Sequence, residues 1–278
     1  MTSMQTPSVN ADTGAEWVAQ AAELMRTVGF VAVHNVADAS TVADIREAVY
    51  KAREGVVAEV GKERLDRAGE IGTVRLAMKH DHRLLKVFEL PAVLALVDHV
   101  LAPTAILHLQ NGLILPSFAG DRPQVFQTRF HQDFPRVLNG YLMSINLMFA
   151  VDEFREDNGA TLFIPGSHQK AEPPNLAAVE RTAVSATAPA GSMILFDSTT
   201  WHAAGSNASG KDRVAINHQF TRSYIKQQVD YVRALGDQVV LSLPPRTQQL
   251  LGWYTRVVTN LDEYYRPADQ RLYRGGQG

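Results

Sequence analysis

The chain has 278 residues, 45% of them hydrophobic and 20% charged, enough apolar material for a packed core and too much for general disorder. Lys and Arg number 27 against 29 Asp and Glu, so no basic surplus exists to neutralise a phosphate backbone or an anionic bilayer, and nucleic-acid and membrane partners are disfavoured. The absence of cysteine excludes disulfides, thiolate catalysis and Cys-ligated metals, leaving histidine and carboxylate as the only strong metal ligands.

The length lies within the range that all-β barrels and sandwiches reach as one unit, so one domain is expected over residues 1–278. Met1 to Gly14 is polar, has no apolar signal-peptide core and reads as a flexible tail; a cytoplasmic address is the expectation. Trp17, Ala21, Leu24, Met25 and Val28 recur at helical spacing and stop at Gly29, which predicts a first helix ending there. Phe30 to Val33 follows as a short β-like run. Asp38-Ala39-Ser40 offers capping groups for a second helix that carries Val42, Ile45 and Val49 past Tyr50. Leu84 to Leu101 reads as another helix, with Pro91 at an early turn or a kink. Residues 15–104 are thus predicted to be mostly helical support.

From Ala105 the texture changes. Ile106–Leu109, Val125-Phe126, Tyr141–Val151, Thr161–Ile164, Ser192–Phe196 and Val214–Phe220 are short apolar or alternating runs, separated by turn formers such as Asp157-Asn158-Gly159, Pro165-Gly166-Ser167 and Pro189-Ala190-Gly191. Residues 105–222 are therefore predicted to form a barrel or double-sheet jelly roll. After Pro244-Pro245 a helical pattern returns through Leu250, Leu251, Tyr254 and Val258, so residues 223–278 are a helical region and polar tail. The expected fold class is mainly β with flanking helices.

The chemistry concentrates at Phe130-His131-Gln132-Asp133-Phe134. Residues i and i+2 of a strand share a face, so one ion can bridge His131 and Asp133. Trp201-His202 follows 71 residues after His131, beyond the apolar strand Ser192–Phe196, and can supply a third ligand. Two imidazoles and one carboxylate form the facial triad that leaves open positions on non-haem Fe(II) for a co-substrate and O2. Arg213 opens an alternating strand in which Arg213, Ala215, Asn217, Gln219 and Thr221 share the polar face. A guanidinium there can hold a carboxylate through two parallel hydrogen bonds, the bland alternative being a surface pair with Asp212 or another acid.

The string Asp157-Asn158-Gly159-Ala160-Thr161-Leu162-Phe163-Ile164-Pro165-Gly166-Ser167-His168, set between His131-x-Asp133 and the later His202 and Arg213, resembles the phytanoyl-CoA dioxygenase branch of the Fe(II)/2-oxoglutarate oxygenases. The resemblance begins at the helix-then-Gly29-Phe30-Val31 opening and is strongest from Phe130 to Phe220. It implies a double-stranded β-helix of the cupin-like jelly-roll type. It also implies Fe(II) on His131, Asp133 and His202, with 2-oxoglutarate chelating the iron while its far carboxylate pairs with Arg213, and O2 as the second co-substrate. Relatives often carry Lys before the Pro that ends an early core strand; here that place is Leu115 before Pro116. Gln110 or Asn111 on the same strand can compensate, and Asn146 is a further candidate on the co-substrate side. Halogenating relatives have a small residue where this chain has Asp133, which favours hydroxylation, desaturation or ring closure.

Other residues have weaker claims. His80-Asp81-His82 precedes a helix and reads as a polar lead-in, His168 as a hydrogen-bonding turn residue, and Trp201 as packing beside His202. Gln127, Arg136 and Arg222 are candidates to touch substrate, with Ser144, Trp253 and Tyr254 behind them. Arg136, three residues past Asp133, points to an anionic small molecule. The expected activity is oxidation of a C–H bond of a small molecule, hydroxylation first. The rival is a cupin-like binding module or non-oxidative metalloprotein whose metal only holds a ligand or polarises a carbonyl. Arg213 separates the two, because only the oxygenase needs a second anchored carboxylate beside the metal.

Overall fold

A computed structural model describes residues 4–70, 72–118, 128–135, 140–175, 177 and 180–271. The first element is a strand, β1 (Ser8–Asn10), parallel to β2 (Phe30–His34) with Ser8 opposite Ala32. The flexible tail expected over residues 1–14 is corrected at this point: an edge strand is held by backbone hydrogen bonds and needs no apolar alternation, so Ser-Val-Asn shows no β signal. Between the two strands, α1 (Trp17–Val28) ends at Gly29, which adopts φ 101° and donates its N–H to Met25 O, a left-handed cap that glycine makes without a Cβ penalty. The Asp38 carboxylate accepts from the Thr41 N–H and starts α2 (Ala39–Val60).

A short helix α3 (Lys62–Arg67), strand β3 (Thr73–Arg75) and a one-turn helix α4 (Ala77–His80) follow. The helix expected over Leu84–Leu101 is two: a 3-10 helix His82–Glu89, then α5 (Pro91–Val100) with Pro91 at its first position. Proline lacks the N–H and crowds the preceding turn, so it starts a helix more readily than it continues one.

The strands β4 (Ile106–Leu115), β5 (Ser144–Ala150), β8 (Met193–Asp197) and β10 (Arg213–Thr221) build a seven-stranded sheet in the order β1-β2-β8-β5-β10-β4-β3. A second sheet runs β7 (Val184–Ser185), β6 (Leu162–Phe163), β9 (His202–Ala203). Strand β2, from the region expected to be helical support, pairs antiparallel with β8. The run Val125-Phe126 lies outside the described residues. Short helices over Tyr231–Leu235, Asp237–Leu241 and Pro245–Leu250 close the chain's return to the sheet. No helix among the described residues is long and apolar enough to cross a membrane.

Strand parity divides the core. Val31, Val33, Ile145, Leu147, Phe149, Val214, Ile216 and Phe220 face a helix layer built on Trp17, Met25, Ile45, Val49, Phe88 and Leu96. Their neighbours in sequence, Phe30, Ala32, Met148, Ala150 and Ala215, face Phe154, Phe163 and Phe196 on the other side. Both faces of the central strands are thus buried, which is why they read as near-continuous apolar runs. The polar residues that break the second set, Asn146, Arg213, Asn217 and Gln219, lie on the face that looks toward the small sheet.

Candidate metal centre and active site

His131 and His202 form an isolated antiparallel bridge, each N–H donating to the other's carbonyl at 2.9 Å. Directly paired residues of such a bridge project side chains to one side, and the two rings lie with centroids 4.4 Å apart. Asp133 returns to the same point: its carboxylate oxygens are 3.5 Å from His131 Nε2 and 3.7 Å from His202 Nε2. The three residues offer ligand atoms all within 4.8 Å of one another. An ion with bonds of about 2.1 Å, the length zinc makes to imidazole or carboxylate, can bridge such separations.

The imidazoles are oriented for this. His131 Nδ1 bonds Arg129 O at 2.8 Å and His202 Nδ1 bonds Thr200 O at 2.9 Å. A carbonyl can only accept, so each Nδ1 carries the proton and each Nε2 presents its lone pair inward. Phe163 and Phe196 pack against the His202 ring, with centroids 5.8 and 4.9 Å away. Burial holds the His202 imidazole below its ordinary pKa against the pull of Asp133. Burial also penalises charge on Asp133, yet the attraction of His202, the hydrogen bond and charge of His131 and a bond from Asn146 outweigh it and hold the carboxyl below its usual range. Burial also penalises charge on His131, yet the hydrogen bond and charge of Asp133 and the Arg129 carbonyl together outweigh it and raise its pKa.

The loops around the triad are tied to it. Ser167 Oγ accepts the Trp201 N–H at 2.9 Å, so the Pro-Gly-Ser turn braces the strand that carries His202. Thr200 Oγ1 donates to Gly29 O at 3.0 Å. His168 takes the hydrogen-bonding role expected of it, against Arg26 O at 2.9 Å. The Asp157-Asn158-Gly159 turn is closed by Asn158, which accepts from Arg155 N and donates to Glu153 O. That turn aims the Gly159 carbonyl at Arg213 Nη2, 2.7 Å away.

Arg213 itself is 4% exposed, so the surface-pair alternative fails; its guanidinium stacks over Phe154 at 4.6 Å. The Nε and Nη1 atoms are buried with no partner. Burial drives the guanidinium pKa down to about 10, with Asp152 opposing. Arg213, Asn217, His131, Asp133 and His202 line one cavity of about 320 Å³ together with Arg75, His108, Asn111, Met148, Thr161 and Gln228.

A family model for phytanoyl-CoA dioxygenase (PhyH) matches residues 25–215. The chain belongs to the phytanoyl-CoA dioxygenase family. Uncharacterised proteins of Mycobacterium bovis and Mycobacterium tuberculosis are each 60% identical to this family member over 260 residues, 93% of this chain and 95% of theirs. A dioxygenase of Talaromyces verruculosus, cdmA, is 26% identical over 282 residues, covering 95% of this chain and 92% of its own. Among solved structures, the non-heme monooxygenase ThoJ in its apo form superposes with a TM-score of 0.61 at 22% identity, over 75% of this chain and 80% of ThoJ. The epimerase SnoN in complex with Fe3+, alpha ketoglutarate and nogalamycin RO gives 0.54 at 19%, over 73% and 83%. Both support the fold of this phytanoyl-CoA dioxygenase-family chain.

Several expected site residues sit elsewhere. Gln110 is corrected: strand parity turns it to the helix layer, where Nε2 donates to Leu84 O at 3.0 Å and lies 2.9 Å from His218 Nε2. Asn111, the other residue of that pair, lines the cavity. Asn146 faces the site but spends its amide on Ser198 Oγ and accepts from Asn217, besides bonding Asp133, so it steadies the carboxylate rather than reaching a co-substrate. Arg222 is corrected as a substrate contact: it lies on the opposite face from Arg213, bonds Leu142 O and Leu101 O and stacks on Tyr141. Trp253 is buried in the helix-side core. Gln127 and Arg136 lie outside the described residues. Several cavity residues escaped the sequence reading, among them Arg75, His108 and Gln228. Arg75 arrives on the edge strand β3, and His108 is turned inward by a strand irregularity that no pattern announces.

Proposed function

We propose that this protein is a non-haem Fe(II)- and 2-oxoglutarate-dependent dioxygenase that hydroxylates a C–H bond of a small molecule. In this reading its two sheets form a double-stranded β-helix within a single oxygenase domain. The observation that carries the reading is Arg213: a buried cation with two N–H donors left open, facing the same cavity as a His-Asp-His cluster. A buried guanidinium with unused donors is costly unless an anion completes it. A metalloprotein that only holds a ligand on its metal has no need for it.

His131, Asp133 and His202 would hold Fe(II), and Arg213 would take the far carboxylate of 2-oxoglutarate through Nε and Nη1 while Gly159 O fixes Nη2. Bound together, Fe(II) and 2-oxoglutarate supply oxidative decarboxylation to succinate and CO2, which turns O2 into an oxidant for C–H bonds. The chain's own part is orientation and exclusion of water. Asn146 and the two backbone carbonyls at Arg129 and Thr200 set the ligands, and Phe163 and Phe196 keep the floor under His202 dry. Asp133 would supply the third ligand, where a small residue would leave room for a halide, which supports hydroxylation over halogenation.

The test is calorimetric. Metal-free protein titrated with Fe(II) under argon should bind one ion per chain, and 2-oxoglutarate should bind the loaded protein far more tightly than the metal-free one. Binding of metal with no metal-dependent gain for 2-oxoglutarate would favour the binding-module rival.

A further inference from the structure

One wall of the cavity is made by β4, the strand paired with the Arg213 strand β10, and it carries hydrogen-bonding groups that the protein itself does not use. Along β4 the partners on β10 run in step until Gln219 pairs with Leu109 and Phe220 with Leu107, so His108 is an extra residue without a partner. A bulge of this kind bends the strand and re-aims a side chain. In regular alternation His108 would share the face of Gln110 and point to the helix layer. Instead His108, Leu109 and Asn111 all line the cavity. The bulge is held open from behind, since the Gln228 N–H donates to His108 O at 3.2 Å and Gln227 Nε2 donates to Leu107 O at 2.7 Å. This places the Gln228 side chain at the same wall.

His108 Nδ1 is buried and has no partner. Desolvation holds the imidazole below its ordinary pKa, with Asp133 opposing, so the ring is neutral near pH 7 and can donate at one nitrogen and accept at the other. The carboxamides of Asn111 and Gln228 also both donate and accept. Among the described residues the cation on this wall, Arg75, is committed: Nε and Nη2 bond both carboxylate oxygens of Glu70, at 2.9 and 2.6 Å. The wall is therefore electrically balanced and rich in groups that match hydroxyls, which likewise donate and accept. Leu109 and Leu113 alternate with these groups along β4, and Met148 lines the cavity from β5, offering apolar contact to C–H surfaces.

We propose that the β4 wall is the substrate subsite, and that the substrate is a neutral, hydroxyl-rich small molecule with an oxygen bonded to His108 and others to Asn111 and Gln228. An acyl chain would need a longer apolar trench, and among the described residues Arg213 is reserved for the co-substrate in this reading and β4 and β3 offer a phosphate or carboxylate no cation that Glu70 has not already neutralised. The inference rests on the oxygenase reading for its meaning, because the wall faces the triad, but its test does not pass through iron chemistry.

Saturation-transfer NMR on the metal-free, full-length Arg213→Met protein, in which the cavity's carboxylate anchor is removed, compares methyl α-glucoside and myo-inositol with glucuronate and glucose 6-phosphate, which keep the hydroxyls and add a charge. The neutral pair should give signals, and the charged pair should bind about tenfold more weakly, roughly the factor of one lost hydrogen bond. His108→Leu should lower binding of the neutral compounds by about tenfold, and His108→Gln, which restores a donor and an acceptor, should recover most of it. If His108→Leu fails to fold by circular dichroism, Asn111→Leu on the same wall decides with the same expected loss. Tighter binding of the charged compounds, no binding of the neutral ones, or neutral binding that these substitutions leave unchanged would each overturn the proposal. Failure of 2-oxoglutarate to bind the iron-loaded wild type would instead sink the oxygenase reading and leave the NMR result standing.

Discussion

Replacing Arg213 by methionine should make the ligand-free protein slightly more stable while removing its affinity for 2-oxoglutarate. Burial lowers the guanidinium well below its ordinary range, to about 10, which at about 1.4 kcal/mol for each tenfold in proton affinity costs the charged side chain about 3 kcal/mol. The bond to Gly159 O returns about 1 kcal/mol, and the stack on Phe154 at 4.6 Å returns about 1–2 kcal/mol. Methionine fills similar length without charge and keeps a sulfur contact with the Phe154 ring. The net expectation is a gain of about 1 kcal/mol, or about 2 °C in Tm for a chain of this size. The ligand-bound comparison runs the other way. Two charge-assisted hydrogen bonds of about 1.5–3 kcal/mol each are lost, so 2-oxoglutarate affinity should fall by about 10²- to 10⁴-fold. Thermal melts of metal-loaded protein with and without 2-oxoglutarate read both effects, with calorimetry for the Kd. A variant that melts several degrees below wild type, or that binds 2-oxoglutarate as wild type does, would show that Arg213 serves the fold and not a carboxylate.

Asn146→Leu should weaken metal binding by about 10- to 100-fold with the fold retained, as expected when a ligand loses the group that orients it; competition with a chelating dye measures it. Gly159→Ala places a Cβ against Leu115 Cδ2 and 3.2 Å from Gly205 O at φ +87°, so a loss of about 1–2 kcal/mol in urea unfolding is expected. The same variant should bind 2-oxoglutarate less well, because the Gly159 carbonyl holds Arg213. Asp81 is held at about 2, against 3.8, first by hydrogen bonds from the Arg83 side chain and also by its N–H and by Lys51. Its depressed value means the stabilisation is present above the unfolded pKa and lost as pH falls through the folded one. Asp81→Asn should therefore cost about 2 kcal/mol at pH 7, and the gap to wild type in urea melts should narrow between pH 4 and pH 2.

That His131, Asp133 and His202 come together was legible because the signal is local. His131 and Asp133 sit at the spacing of one strand face, and His202 follows an apolar strand that must pair nearby. Arg213 was legible for a similar reason, since alternation over Arg213–Thr221 assigns its face without knowledge of the partner strand. Gln110 failed by one residue: the face of β4 is set by where its register shifts, and the irregularity at His108 depends on pairing with β10, which is remote in sequence. Arg75 was hidden inside a stretch with helical texture, because a three-residue edge strand leaves no periodicity to read. The strand at Ser8–Asn10 was hidden likewise, its stability lying in backbone bonds to β2 and not in its side chains.

The most direct test of the central claim is to follow succinate and O2 together. Iron-loaded protein supplied with 2-oxoglutarate and a metabolite extract should release one succinate for each O2 consumed, at a rate the extract raises, and Asp133→Ala, which removes the anionic ligand, should abolish it. Iron-loaded wild type that leaves 2-oxoglutarate intact, or full coupled turnover in Asp133→Ala, would contradict the assignment of His131, Asp133 and His202 as an oxygenase centre.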